Sequence, residues 1–402
     1  MTSLPNRRRT TAVALAVTVS VSATSLLLTA CGSSGAAKTS TPAAGSSTGA
    51  AKAADKGPAA VAITITDQGC APSPATIPAG SVKFTVSNKN SGKVTEAELQ
   101  DHGKMLGEKE NLTPGLSGDF SLTLTAGTYQ VYCPGAGTDT TDFTVTGSTA
   151  HSWKDDPELV AATTQYATWI DGEVAQLVPT TKAFTDAVRA GDIARAKLLY
   201  GAARIHYEAV EPTAEIWGDL DGRIDGRVDD AATPADFTGF HRLEQALWTA
   251  KSVKGMTPIA NQLDADVTSL YTQVKTVAYQ PAEIANGATD LVNEIQTSKV
   301  TGEEERYSHI DLLDFKGNLE GADEAVKVLL PTLQKKDPQL VSTIATRYAA
   351  TAALLAKYAA TPGYENSGYV DYSTVTTAQR RELSTAVDAY AEAVSKVAGE
   401  VA

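Results

Sequence analysis

Two hydrophobic periods divide the chain. Between residues 60 and 148, apolar and polar positions alternate in short runs, at 61–66, 81–86, 120–125, 129–132 and 143–146. A period of two sends successive side chains to opposite faces, which is the pattern of half-buried strands. Pro78-Ala79-Gly80, Thr113-Pro114-Gly115 and Thr125-Ala126-Gly127 punctuate the runs as turns. Several short strands so spaced predict a small all-β sandwich. From 153 to 402 the period becomes three and four, as in Tyr166, Trp169, Ile170, Val174, Leu177 and in Leu263, Val267, Leu270, Val274, Val277. Such stripes predict amphipathic helices and an all-α bundle, with breaks at Asp337-Pro338 and Thr361-Pro362-Gly363. The expected fold class is multidomain, a sandwich followed by a helical bundle.

The first 59 residues fit neither period. Arg7, Arg8 and Arg9 precede an uncharged, apolar stretch, so residues 1–30 read as a secretory signal. Leu28-Thr29-Ala30-Cys31 resembles the bacterial lipobox, in which the cysteine is lipidated and becomes the new N-terminus. The alternative is an ordinary signal peptide. Lipidation at Cys31 would tie the protein to the cell membrane on its extracytoplasmic face, and the arginine run leaves both the Sec and Tat routes open. Residues 31–59 are small and polar, the composition of a flexible tether. Beyond the leader no stretch approaches 18 apolar residues, the length of a spanning helix. The formal net charge of −13 excludes nucleic acid as a partner, since a body this acidic repels it.

The candidate chemistry lies in two places. In the β region Cys70 and Cys133 form a pair. Outside the cytoplasm they fit a disulfide; they also fit two thiolates of a metal site with Glu96 and Glu98 nearby. Glu96 and Glu98, two apart, share a face if the chain is extended there. The runs at 77–84 and 126–133 resemble a cupredoxin. A blue-copper centre needs His, and often Met, just after its cysteine, and no His lies between Cys133 and His151.

In the helical region His241 and Glu244 stand three apart, on one helix face where both can reach one ion. The spacing is common by itself; the bland alternative is a buried histidine hydrogen-bonded to its neighbour. Acidic residues crowd the preceding segment. Glu208, Glu211 and Glu215 fall on one stripe if a helix runs through Pro212, and residues 219–230 hold five aspartates. That run lacks the spacing of an EF-hand, because Arg223 replaces a ligand and the closing Glu is missing. Its bland alternative is a solvated loop.

The segments 204–212, 219–230, 239–248, 295–314 and 363–366 resemble the imelysin-like family, marked by a His-x-x-Glu motif. With the leader and the cupredoxin-like region, the order resembles EfeO-type iron-uptake lipoproteins. The resemblance implies an extracytoplasmic protein that captures Fe2+ or Fe3+ and delivers it to an iron permease of the EfeU type, with a haem peroxidase of the EfeB type as further partner. It makes His241 and Glu244 the metal motif, with Glu208, Glu211, Asp225, Glu294 and His309 as the pool of further ligands. Cys70, Glu96 and Cys133 match cupredoxin-side positions for copper or iron, although Gln130 stands where an acid is expected. Two alternatives remain. A zinc peptidase should carry His-Glu-x-x-His or His-x-x-Glu-His, and neither occurs here. A copper-binding, iron-oxidising module would place the function in the sandwich.

Overall fold

The computed structural model describes residues 58–148, 152–218 and 220–402. The expected leader, Cys31, the tether up to residue 57 and Asp219 lie outside the described residues.

The alternating runs form strands of two facing sheets. The strands are β1 (Ala59–Thr66), β2 (Gly69–Ser73), β3 (Thr76–Pro78), β4 (Gly80–Asn88), β5 (Ala97–Asp101), β6 (Lys104–Lys109), β7 (Ser117–Leu124), β8 (Gly127–Tyr132) and β9 (Thr140–Thr146). One sheet has the order β2-β1-β4-β7 and the other β3-β9-β8-β5-β6. The inward positions carry the core: Phe84 stacks on Phe120 at 4.8 Å and meets Phe143 edge-on at 5.5 Å. Cys70 on β2 and Cys133 just after β8 are joined by a buried disulfide with Cα atoms 6.2 Å apart, which ties one sheet to the other. Of the two readings of this pair, the disulfide holds. A sulfur bonded to sulfur is not a thiolate, so Cys70 and Cys133 leave the ligand set.

The 3–4 period becomes helices α1 (Pro157–Arg189), α2 (Ile193–Glu208), α3 (Glu211–Glu215), α4 (Leu220–Ile224), α5 (Gly239–Trp248), α6 (Thr257–Gln273), α7 (Pro281–Glu294), α8 (Asp311–Lys336), α9 (Pro338–Leu355), α10 (Thr377–Val394) and α11 (Val397–Val401). Tyr166, Ile170, Val174 and Leu177 of α1, and Leu263, Val267 and Leu270 of α6, are buried in one core. Asp337 caps α9 by accepting the N–H groups of Gln339 and Leu340, where Pro338 cannot continue α8.

The acidic stripe through Pro212 does not form. α2 ends at Glu208 and Pro212 starts a separate short helix, because proline suits a first turn and breaks an interior. Glu208 and Glu211 still reach a common partner, whereas Glu215 lines a cavity against the sandwich. Asn286 of α7 docks the bundle there by donating to Ser121 O at 2.9 Å.

Candidate metal centre

Two glycines let the elements of the site close together. Gly239 opens α5 at φ 68°, and a Cβ there would lie 2.0 Å from Ile224 O. No other residue fits that approach. The end of α4 therefore touches the start of α5, which puts Asp225 beside His241. Gly317 of α8 does the same against α2: a Cβ would lie 2.6 Å from Glu208 Cβ. Arg204 and Glu208 consequently face Asp314 and Asn318.

His241 is 1% exposed, and both ring nitrogens face carboxylates. Nδ1 lies 3.1 Å from Glu244 Oε2. Nε2 lies 3.1 Å from Glu304 Oε1 and 3.3 Å from Asp225 Oδ1. Glu244 is also a clamp: its Oε1 accepts the backbone N–H groups of Tyr307 (2.8 Å) and Ser308 (2.6 Å). Burial alone would push the imidazole down, but the charge of Asp225 and the hydrogen bonds that the ring donates to Asp225, Glu244 and Glu304 hold it well above the ordinary histidine value. The residues of the His-x-x-Glu motif thus tie α5 to the 304–308 turn.

Arg204, fully buried, holds the centre together. It contacts Glu208 and Asp225 directly, Glu305 at 3.0 Å, Glu304 at 3.2 Å and Asp314 at 3.4 Å. Lys299 is the second buried cation. Around these two and His241 stand eight buried acids: Glu208, Glu211, Asp225, Glu244, Glu304, Glu305, Asp311 and Asp314. Burial raises the carboxyl of Asp225, but Arg204 and His241 offset this and hold it below its ordinary value. Burial likewise acts on Glu304, and Lys299 with His241 brings it well below. Burial dominates at Glu305 and Asp314 and pushes both well up. The ionised pair on Nε2 is therefore Asp225 and Glu304.

Asp225, His241 and Glu304 offer ligand atoms within 4.8 Å of one another, as do His241, Glu244 and Glu305. Asp225 and Glu304 also line a cavity of about 100 Å³ with Glu211, Asp221 and Glu294, room for a few waters or a hydrated ion. The 219–230 run is thus not a solvated loop as a whole: Asp225 is buried while Asp229 and Asp230 are exposed. Of the predicted pool, Asp225 joins His241. Glu208 and Glu211 turn to Lys299 and Asn318. Glu294 lines the cavity. His309 sits in a left-handed turn at φ 60° and belongs to neither group. Glu304 and Glu305 are the residues that sequence reasoning passed over. Their signal was the run Glu303-Glu304-Glu305, which reads equally well as a solvated turn.

On the sandwich a third group gathers Glu96, Glu98 and Glu108. The β5–β6 hairpin sets Glu98 opposite Glu108. They line a cavity of about 410 Å³ that Glu110, Glu215 and Asp221 share. Burial, with the charge of Glu98 beside it, pushes Glu96 up to about 8. Gln130 is exposed on β8.

The family model described as imelysin matches residues 162–397, and that of a cupredoxin-like domain matches residues 38–142. The iron uptake system component EfeO of Escherichia coli (strain K12) is 39% identical over 346 residues, spanning 84% of this chain and 90% of that protein. The EfeO of Shigella flexneri matches equally, and that of Escherichia coli O1:K1 / APEC is 40% identical over the same length.

Proposed function

We propose that this chain, which belongs to the imelysin family and matches EfeO iron uptake components along nine-tenths of their length, captures iron outside the cytoplasm and passes it to a membrane permease. Asp225, His241 and Glu304 take the ion. Glu244 orients the ring from Nδ1, as a carboxylate hydrogen-bonded to the far nitrogen does for a ligating histidine. An imidazole with carboxylates suits iron, and the carboxylates favour the harder ferric form. The permease is of the EfeU type, a haem peroxidase of the EfeB type is the further partner, and a lipid on Cys31 holds the protein at the membrane. No described helix is long and apolar enough to cross one.

One observation carries the reading. Eight buried acids surround two buried cations and one histidine, beside a cavity that three of those acids, Glu211, Asp225 and Glu304, line. Uncompensated buried carboxylates are costly, and a multivalent cation relieves that cost. A zinc peptidase typically holds its metal with paired histidines and keeps an open position; His241 is the one histidine in these groups among the described residues. A copper-oxidising sandwich would want soft ligands, and both cysteines are in the disulfide.

Metal analysis and Fe2+ titration of the wild type, His241→Ala and Glu304→Gln test it. Each substitution is expected to weaken iron binding at least tenfold, about 1.4 kcal/mol. Unchanged iron binding in both folded variants would sink the assignment.

A further inference from the structure

Lys299 ends a five-residue π-helical turn, Ile295–Lys299, that continues α7. In such a turn the backbone bonds from i to i+5, so Glu294 and Lys299 come to one face. Glu294 Oε1 lies 3.5 Å from Lys299 Nζ. Three more carboxylates surround the ammonium: Glu208 at 3.2 Å, Glu304 at 3.5 Å and Glu211 at 3.7 Å. The side chain is 0% exposed, yet Nζ has no hydrogen bond of acceptable geometry. Arg204, by contrast, presents several donors to its carboxylates. One buried cation is thus a directed clasp and the other a point charge at the centre of a ring.

Three of the four ring carboxylates also line the metal cavity. Glu211, Glu294 and Glu304 each line it and each pair with Lys299. Glu304 is shared among four neighbours: Oε1 faces His241 Nε2 and Arg204, while Oε2 faces Lys299 Nζ at 3.5 Å and Arg227, a half-buried residue of the same cavity, at 3.3 Å. A cation entering beside Asp225 and Glu304 therefore competes with the ammonium for the charge of Glu304 and of the cavity-lining Glu211 and Glu294. A lysine can give way, because its charge is compact and its stem has four flexible carbons.

We propose that Lys299 is a resident counter-ion that occupies the carboxylate ring when the cavity is empty and yields Glu304, Glu211 and Glu294 to an incoming iron ion. The inference rests on the reading of Asp225, His241 and Glu304 as the iron site and adds the means of release. Without a replacement charge, a departing ion would leave Glu211 and Glu294 short of a cation and Glu304 with only its arginine and histidine neighbours, an unfavourable state for buried carboxylates. The returning ammonium removes that barrier and opposes tight retention, as a protein that must hand on its cargo requires.

The test compares the full chain with Lys299→Gln and Lys299→Arg, using anaerobic Fe2+ titration, release of Fe2+ to a chelator and melting of the empty protein. Lys299→Gln is expected to bind Fe2+ at least tenfold more tightly, to release it at least tenfold more slowly and to melt lower when empty. Lys299→Arg keeps the charge but forms directed, forked contacts that resist displacement, so it should bind Fe2+ more weakly than the wild type. Lys299→Gln that binds no more tightly than a wild type showing His241-dependent binding overturns the proposal. If Lys299→Gln does not fold, Lys299→Arg with wild-type affinity overturns it in its place. A wild type that binds no Fe2+ removes the site itself, which separates the two failures.

Discussion

At the scale of single residues, the two halves of the His-x-x-Glu motif have different duties. The ring of His241 presents Nε2 to Asp225 and Glu304, where an ion can replace its proton. Glu244 uses one oxygen to orient that ring and the other to hold two backbone N–H groups of the 304–308 turn. Glu244→Ala strands both donors in a buried turn, at about 1–3 kcal/mol for each unsatisfied group. The urea midpoint of the empty protein should therefore fall by an amount equivalent to about 2–4 kcal/mol, taking two such losses with partial relaxation. Full stability with lost iron binding would instead make Glu244 a ligand and not a clamp. The motif was legible because residues three apart share a helix face wherever the helix lies. Of their partners, Asp225 stood in the pool of further ligands that the resemblance implied, whereas Glu304 and Arg204 were not singled out: they come from other segments, and nothing local distinguishes them from solvated acids and bases.

At the scale of elements, backbone approach decides the site. α4 and α5 meet at Gly239, whose positive φ and missing Cβ allow Ile224 O to lie where a side chain would begin. Gly239→Ala must push these helices apart and strain the start of α5, a strain of about 1–3 kcal/mol. Both consequences are measurable: a lower melting temperature, and iron affinity weakened at least several-fold because Asp225 moves away from His241. An alanine variant with wild-type affinity would show that this approach does not set the site. The sequence pointed to the helices by their period, but it left open whether one runs through Pro212. Proline has no N–H to donate and crowds the preceding turn, so the chain restarts there as α3. For β5 the sequence offered only the condition that Glu96 and Glu98 share a face if extended, and β6 escaped because Leu106, Gly107 and Glu108 are buried in succession and do not alternate. The register of the two strands sets Glu98 against Glu108 and so creates a group invisible in sequence order.

At the scale of the whole molecule, the sandwich and the bundle share an acidic boundary that stores protons. Burial, with Lys109 opposing it and Glu294 adding to it, pushes Asp290 up to about 6. Burial and Asp225 push Asp221 up to about 7, and burial and Glu294 push Glu110 up to about 8. In the unfolded chain these groups return to ordinary values of 3.8 and 4.5. The folded state thus binds more protons, and stability is lost as pH rises through the folded values. Asp225 and Glu304 act in the opposite sense, but only as pH falls through values below their ordinary ones. The melting temperature of the empty protein should accordingly fall from pH 5 to pH 9; a rise across that window would contradict the assignment. Sequence alone determined the two-domain order, the class of each domain and the His241–Glu244 pair, because hydrophobic period and helical spacing are local properties. It left the cysteine pair undecided between a bond and a metal site, and it placed Glu208 and Glu211 in a pool of further ligands without ordering them. Only the fold joined Cys70 to Cys133, turned Glu208 and Glu211 toward Lys299 and brought Glu304 to His241 across 63 positions. The reason is that a buried site is chosen by which charges can be compensated together, and that balance exists only once distant segments are packed against one another.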